Sequence, residues 1–122
     1  MPASKTRRVS IHVVDQNLNP IRGADIEFRV GGIAAGGVQS SAGRAMLELE
    51  DPMVAVEVQV TVLSETRTSI LSPGDDLQTF QFEFAPQLSP APGPPVARCA
   101  NGATGQPCVD CMVAGRTVHI CP

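Results

Sequence analysis

The segment VAVEVQVTV, residues 54–62, places Val54, Val56, Val58, Val60 and Val62 at one parity and Ala55, Glu57, Gln59 and Thr61 at the other. Successive side chains of an extended strand point to opposite faces, so this alternation makes one valine face and one polar face. The same period recurs along residues 9–84. In RVSIHVVD the inward set is Val9, Ile11 and Val13. In ADIEFRV it is Ala24, Ile26, Phe28 and Val30, in RAMLELE it is Ala45, Leu47 and Leu49, and in FQFEF it is Phe80, Phe82 and Phe84. A weaker strand, RTSIL, is expected around Ile70. Each strand has a single apolar face and no segment carries a helical period, so two sheets must close over one another. The expected fold is all-β, an antiparallel β-sandwich of six or seven strands.

Hydrophobic residues make up 43% of the 122 residues, yet there is no Trp, no Tyr and only four Phe. The core must therefore be aliphatic. No apolar run approaches the about 18 residues of a membrane-spanning helix. DQNLNPIRG, GGIAAGG, SSAG and SPGDD supply the Gly, Pro, Asn and Asp of tight turns. Of these, GGIAAGG reads as a flexible hairpin tip or bulge.

Residues 85–98, APQLSPAPGPPVAR, hold five of the eleven prolines and cannot form a central strand. The expected organisation is a basic N-terminal arm at 1–7, a sandwich domain at 8–85, a Pro-rich linker at 86–98 and a Cys-rich module at 99–122. On this reading the sandwich is complete without the tail. Lys5, Arg7 and Arg8 make the arm basic, and it is expected to be solvated. The body is acidic within a net charge of −3 and lacks aromatics for base stacking, which argues against nucleic acid as a partner. No apolar stretch follows the basic start, so a cytoplasmic location is expected; leaderless export by a dedicated machine would look the same.

VVDQNLNPIRGADIEF resembles the opening of a carboxypeptidase-regulatory-like, transthyretin-like domain, with Asp15, Pro20, Ile21, Gly23 and Ala24 at the matching positions. SSAGRAMLELEDPMVAVEVQV is similar to that family's second signature, although Ser41 and Ala42 stand where Asp and another polar residue are common. The resemblance covers about residues 8–85 and implies a transthyretin-like sandwich. That fold hosts adhesins, carriers, accessory domains and a few enzymes, so it does not by itself assign a function.

The inventory for catalysis is thin. His12 and His119 are the only histidines, and His12 falls on the strand face opposite Val9, Ile11 and Val13, as a surface or inter-sheet residue. Asp75 and Asp76 follow SPG and read as a polar turn. GGIAAGG lacks the Lys-Ser/Thr ending of a phosphate loop. No zinc-peptidase motif and no nucleophile–His–acid pattern is recognisable.

The cysteines carry most of the remaining chemistry, spaced Cys99-x8-Cys108-x2-Cys111-x9-Cys121. MVAGRTVHI reads as a hairpin turning at Ala114-Gly115. Paired positions then sum to 229, which sets Cys108 opposite Cys121 and Cys111 opposite Val118. A CxxC turn points two thiolates at one ion, and two further sulfurs complete a tetrahedron. The spacing thus points to a structural zinc ion held by Cys99, Cys108, Cys111 and Cys121, with His119 as a replacement ligand. The alternatives are a Cys108–Cys121 cross-strand disulfide with a Cys99–Cys111 bridge in an oxidising compartment, or a redox pair. A closed zinc site would staple a tail too short to bury a core.

The functional expectation is a non-catalytic protein-binding or assembly module, acting on a protein partner or by self-assembly, with neither nucleic acid nor membrane as partner. The alternative is a structural component or passenger of a phage-tail-like or secretion apparatus. PPVARCANG resembles tip proteins of such machines, whose histidine ligands are missing here. A redox or hydrolytic enzyme is the least expected.

Overall fold

The structure is a computed structural model, and it describes residues 7–21, 23–40, 43–49, 54–62, 65–71, 77–84 and 96–122. Among these residues it is all-β, with two five-stranded sheets. Strands β1 (Arg7–Asp15), β2 (Ala24–Val30), β4 (Arg44–Leu49), β5 (Val56–Val62) and β7 (Leu77–Phe84) follow the sequence pattern closely, β6 (Glu65–Leu71) contains the weaker RTSIL stretch, and β3 (Ile33–Ser40) has no counterpart in that pattern. Three more, β8 (Ala97–Cys99), β9 (Val109–Val113) and β10 (Arg116–Cys121), come from the C-terminal residues. The first sheet runs β7-β1-β4-β10-β9 and the second β6-β5-β2-β3-β8.

Alternation becomes burial as expected. Val56, Val58 and Val60 are fully buried, as are Val9, Ile11, Val13, Leu47 and Leu49 from the facing sheet. These residues form one largely aliphatic core, and Phe28, Phe82 and Phe84 are its largest apolar members. Removal of this apolar surface from water is the main force holding the sheets together.

Four expectations need correction. First, the sandwich is not antiparallel throughout: β7 pairs with β1 in parallel, Ile11 opposite Phe80 and Val13 opposite Phe82. Strands β6 and β7 are consecutive but lie in different sheets, so no hairpin dictates their relation.

Second, Arg7 does not belong to a solvated arm. It starts β1, is fully buried, and its guanidinium donates to the carbonyls of Val54 and, at 3.1 Å, Leu71. Burial lowers its pKa, because desolvation disfavours the charged form. Charge-assisted bonds to the ends of the opposite sheet offset that cost. The rest of the arm, 1–6, lies outside the described residues.

Third, GGIAAGG holds the expected hairpin tip and a bulge, with the register slipping by one residue at Ala35 between Phe28–Gly36 and Arg29–Ala34, but the rest of it is strand rather than a flexible loop. Gly31 and Gly32 make the turn, and β3 then lies inside its sheet between β2 and β8. The strand lacks β-branched signals because backbone must pass close to backbone here. A Cβ at Gly36 would sit 2.2 Å from the Arg98 carbonyl oxygen, and one at Gly37 would sit 2.5 Å from that of Ile26.

Fourth, the C-terminal strands are not a tethered module. β10 pairs antiparallel with β4, Ile120 opposite Leu47, and β8 pairs with β3, Cys99 opposite Gly36. Val109, Cys111, Val113, Val118 and Ile120 join the same core as the body of the sandwich. Most of the expected linker lies outside the described residues, and its last part, Ala97–Arg98, already belongs to β8.

The segments that carry the family resemblance meet one another. Asp15 Oδ1 accepts from the amides of Asn17 and Asn19, at 2.8 and 3.0 Å, which shapes the DQNLNP turn. The Gly43 carbonyl accepts from the Val13 amide at 2.7 Å, and the Ile21 amide donates to the Val13 carbonyl at 3.0 Å. Only a glycine fits at 43: its φ is 69°, and a Cβ would lie 2.6 Å from the Val13 oxygen. Ser41 and Ala42 lie outside the described residues.

Candidate functional site

The β9–β10 hairpin has the register that the sequence implies. Val118 faces Cys111, His119 faces Asp110, and the turn is Ala114-Gly115, both residues at positive φ. Parity then divides its side chains. Val109, Cys111, Val113, Val118 and Ile120 point into the core, while Asp110, Met112 and His119 lie on the outer face, together with Cys108 and Cys121.

The four cysteines are paired as two disulfides, one on each face. Cys99–Cys111 joins β8 of the second sheet to β9 of the first, with Cα atoms 5.5 Å apart and both residues buried. Cys108–Cys121 crosses the hairpin itself, with Cα atoms 4.4 Å apart and both residues half-buried. The four-thiolate zinc site expected from the spacing therefore does not form in this state. A disulfide sulfur has no thiolate charge to give a metal, and the two pairs sit on opposite faces of one strand pair. The connectivity is the one named as the alternative to zinc. The glycine-containing loop ANGATGQP, expected to bend around an ion, instead folds back on β8: the Cys99 amide donates to the Ala103 carbonyl and the Gly105 amide to that of Ala97.

The outer face holds a different group. Cys108, His119 and Cys121 each offer one ligand atom, and these atoms lie within 4.8 Å of one another, close enough to hold a metal ion. His119 Nε2 is 3.1 Å from Cys121 Sγ. On the other side of the ring, Nδ1 donates to Asp110 Oδ1 at 2.5 Å. Asp110 can only accept as a carboxylate, so this bond holds the proton on Nδ1 and aims the Nε2 lone pair at the sulfurs. His119 and Asp110 remain solvent-accessible, with side chains 41% and 67% exposed.

Of the other candidates, His12 is half-buried on the outer face of β1, with Nε2 3.4 Å from Ser10 Oγ. Asp75 and Asp76 lie outside the described residues. Asp110 was not singled out in the sequence, nor was His119 placed with Cys108 and Cys121 alone. The signal was available, because 110 and 119 also sum to 229 and share the outer parity. No helix occurs among the described residues, so none is long and apolar enough to cross a membrane.

Comparison of the chain with protein-family models, with curated proteins and with solved structures finds no match. What the described residues show is a two-sheet β-sandwich joined along one side by the Cys99–Cys111 disulfide.

Proposed function

We propose that the protein is a non-catalytic binding module that takes an extended segment of a protein partner along the side bounded by β6 and β7. One observation carries the reading. The terminal strands of the two sheets leave a groove there, lined by Arg67, Thr68 and Ser69 of β6 and by Phe80, Phe82 and Glu83 of β7. Strand β6 is exposed along almost its whole length, with only Leu71 buried, and Ile70 is 68% exposed. A free sheet edge beside aromatic side chains suits strand addition, in which backbone hydrogen bonds give affinity and side-chain pockets give selectivity.

The resemblance to transthyretin-like domains supports the same reading, since that fold commonly serves attachment and carriage. The two disulfides support an oxidising compartment over the cytoplasm expected from the sequence.

The test is site-specific photo-crosslinking from position 68, which is exposed and lines the groove, in the native cell, followed by mass spectrometry. A single stoichiometric heterologous partner, lost on Thr68→Lys while the fold is retained, is the expected result. Crosslinks only to further copies of the chain would instead favour the apparatus-component reading. A partner that binds Thr68→Lys undiminished would place the contact elsewhere.

A further inference from the structure

We infer that Cys108, His119 and Cys121 form a redox-gated site for a divalent ion of the zinc class, opened by reduction of the Cys108–Cys121 disulfide while Cys99–Cys111 stays closed. The inference does not depend on the partner reading above.

Accessibility separates the two disulfides. Cys99 and Cys111 are 5% and 2% exposed, inside the core between the sheets. Cys108 and Cys121 are half-buried on the outer face of the hairpin. Exchange requires in-line attack of an external thiolate on a disulfide sulfur, so a dithiol reaches the outer pair first. Two electrons and two protons pass from the dithiol to Cys108 and Cys121. Their S–S bond breaks, and an S–S bond forms within the reductant.

The freed thiols face a ligand set already oriented. Residues 108 and 121 are directly opposite on neighbouring strands, and 119 stands two residues from 121 on the same face. A tetrahedral zinc ion needs its sulfurs about 3.8 Å apart and each sulfur about 3.5 Å from the imidazole nitrogen, from Zn–S near 2.3 Å and Zn–N near 2.0 Å. At present the two sulfurs are bonded to each other, Nε2 is 3.1 Å from Cys121 Sγ, and all three ligand atoms lie within 4.8 Å of one another, so only the sulfurs must move apart. Rotation about the two Cα–Cβ bonds is enough to separate the sulfurs, with no movement of the strands.

Asp110 supplies the independent sign. A metal-binding histidine commonly donates its other ring N–H to a carboxylate, which fixes the tautomer and raises ligand basicity. That bond is in place between His119 Nδ1 and Asp110 Oδ1. Two thiolates and one imidazole suit zinc better than calcium or magnesium, which prefer oxygen. On binding, the two thiol protons leave to solvent and one coordination position stays open on the exposed face.

The experiment uses the full chain. Treatment with a dithiol under native conditions, then alkylation and peptide mapping, should label Cys108 and Cys121 and spare Cys99 and Cys111. After anaerobic removal of the reductant, the protein should bind one Zn²⁺ by calorimetry and native mass spectrometry, whereas the oxidised protein should bind none. Co²⁺ in its place should give thiolate charge-transfer absorption. Asp110→Asn should weaken Zn²⁺ binding by about 10-fold or more with the disulfides unchanged. His119→Ala should weaken it further. Labelling of all four cysteines, or of none, would overturn the gating. Zinc affinity indifferent to His119→Ala and Asp110→Asn would overturn the ligand set.

Discussion

The two lateral sides of this sandwich are built differently. On one, β8 and β9 are covalently joined by Cys99–Cys111, and the loop after β8 folds back on it through backbone hydrogen bonds. On the other, β6 and β7 face each other across a groove bridged by the Arg67 guanidinium, 4.7 Å from the Phe84 ring centroid. A sandwich needs its sheets registered along only one side to fix their relation. The side without the staple is then free to present backbone, and it is there that we propose the contact surface.

The contrast is most severely tested by removing the stapled side. Truncation before residue 96 would take away β8, β9 and β10, expose the edges of β3 and β4, and uncover Leu47 and Leu49. The expected outcome is loss of a cooperative thermal transition by circular dichroism. A truncated chain that still melts cooperatively would mean that seven strands suffice, as the sequence pattern alone implies.

A smaller effect separates the two disulfides. Their sequence separations are 12 and 13, so loop closure alone assigns each about 3 kcal/mol. Cys99→Ala/Cys111→Ala should cost more than Cys108→Ala/Cys121→Ala in urea denaturation, since only the former also unlinks the sheets and empties buried volume. Equal losses would show that joining the sheets adds nothing beyond closing a loop.

The smallest effect belongs to the open side. Arg67→Ala removes an exposed cation–ring contact and should cost roughly 0.5–1 kcal/mol by the same denaturation measurement. A loss of several kcal/mol would mean that the groove is a closed part of the core rather than an available surface.

How far these features were legible differs with their physical origin. β2 and β5 could be read because their alternation runs unbroken with large β-branched or aromatic side chains. The β9–β10 register followed from one turn, Ala114-Gly115, and with it the opposition of Cys108 and Cys121. What that register could not reveal was the hairpin's destination. The pairing of Ile120 with Leu47 joins residues far apart in the chain, and nothing local in either strand names the other. β3 was hidden for a different reason: the glycines that let β8 approach Gly36 also erase the side-chain signal of a strand. Arg7 was misplaced because charge usually signals solvent, and here the guanidinium satisfies carbonyls at the ends of the facing sheet. The pairing of the sulfurs rests on geometry that spacing does not contain, namely that 99 and 111 meet on one face and 108 and 121 on the other.

The insertion of β10 between β4 and β9 also has a consequence for synthesis. Until residue 121 has left the ribosome, β4 has β1 on one flank and an open edge on the other, with Leu47 and Leu49 incompletely covered. The first sheet therefore cannot close progressively as the chain emerges. The pairing of β4 waits for β10, and folding is governed by a contact of high sequence separation, which favours slow closure.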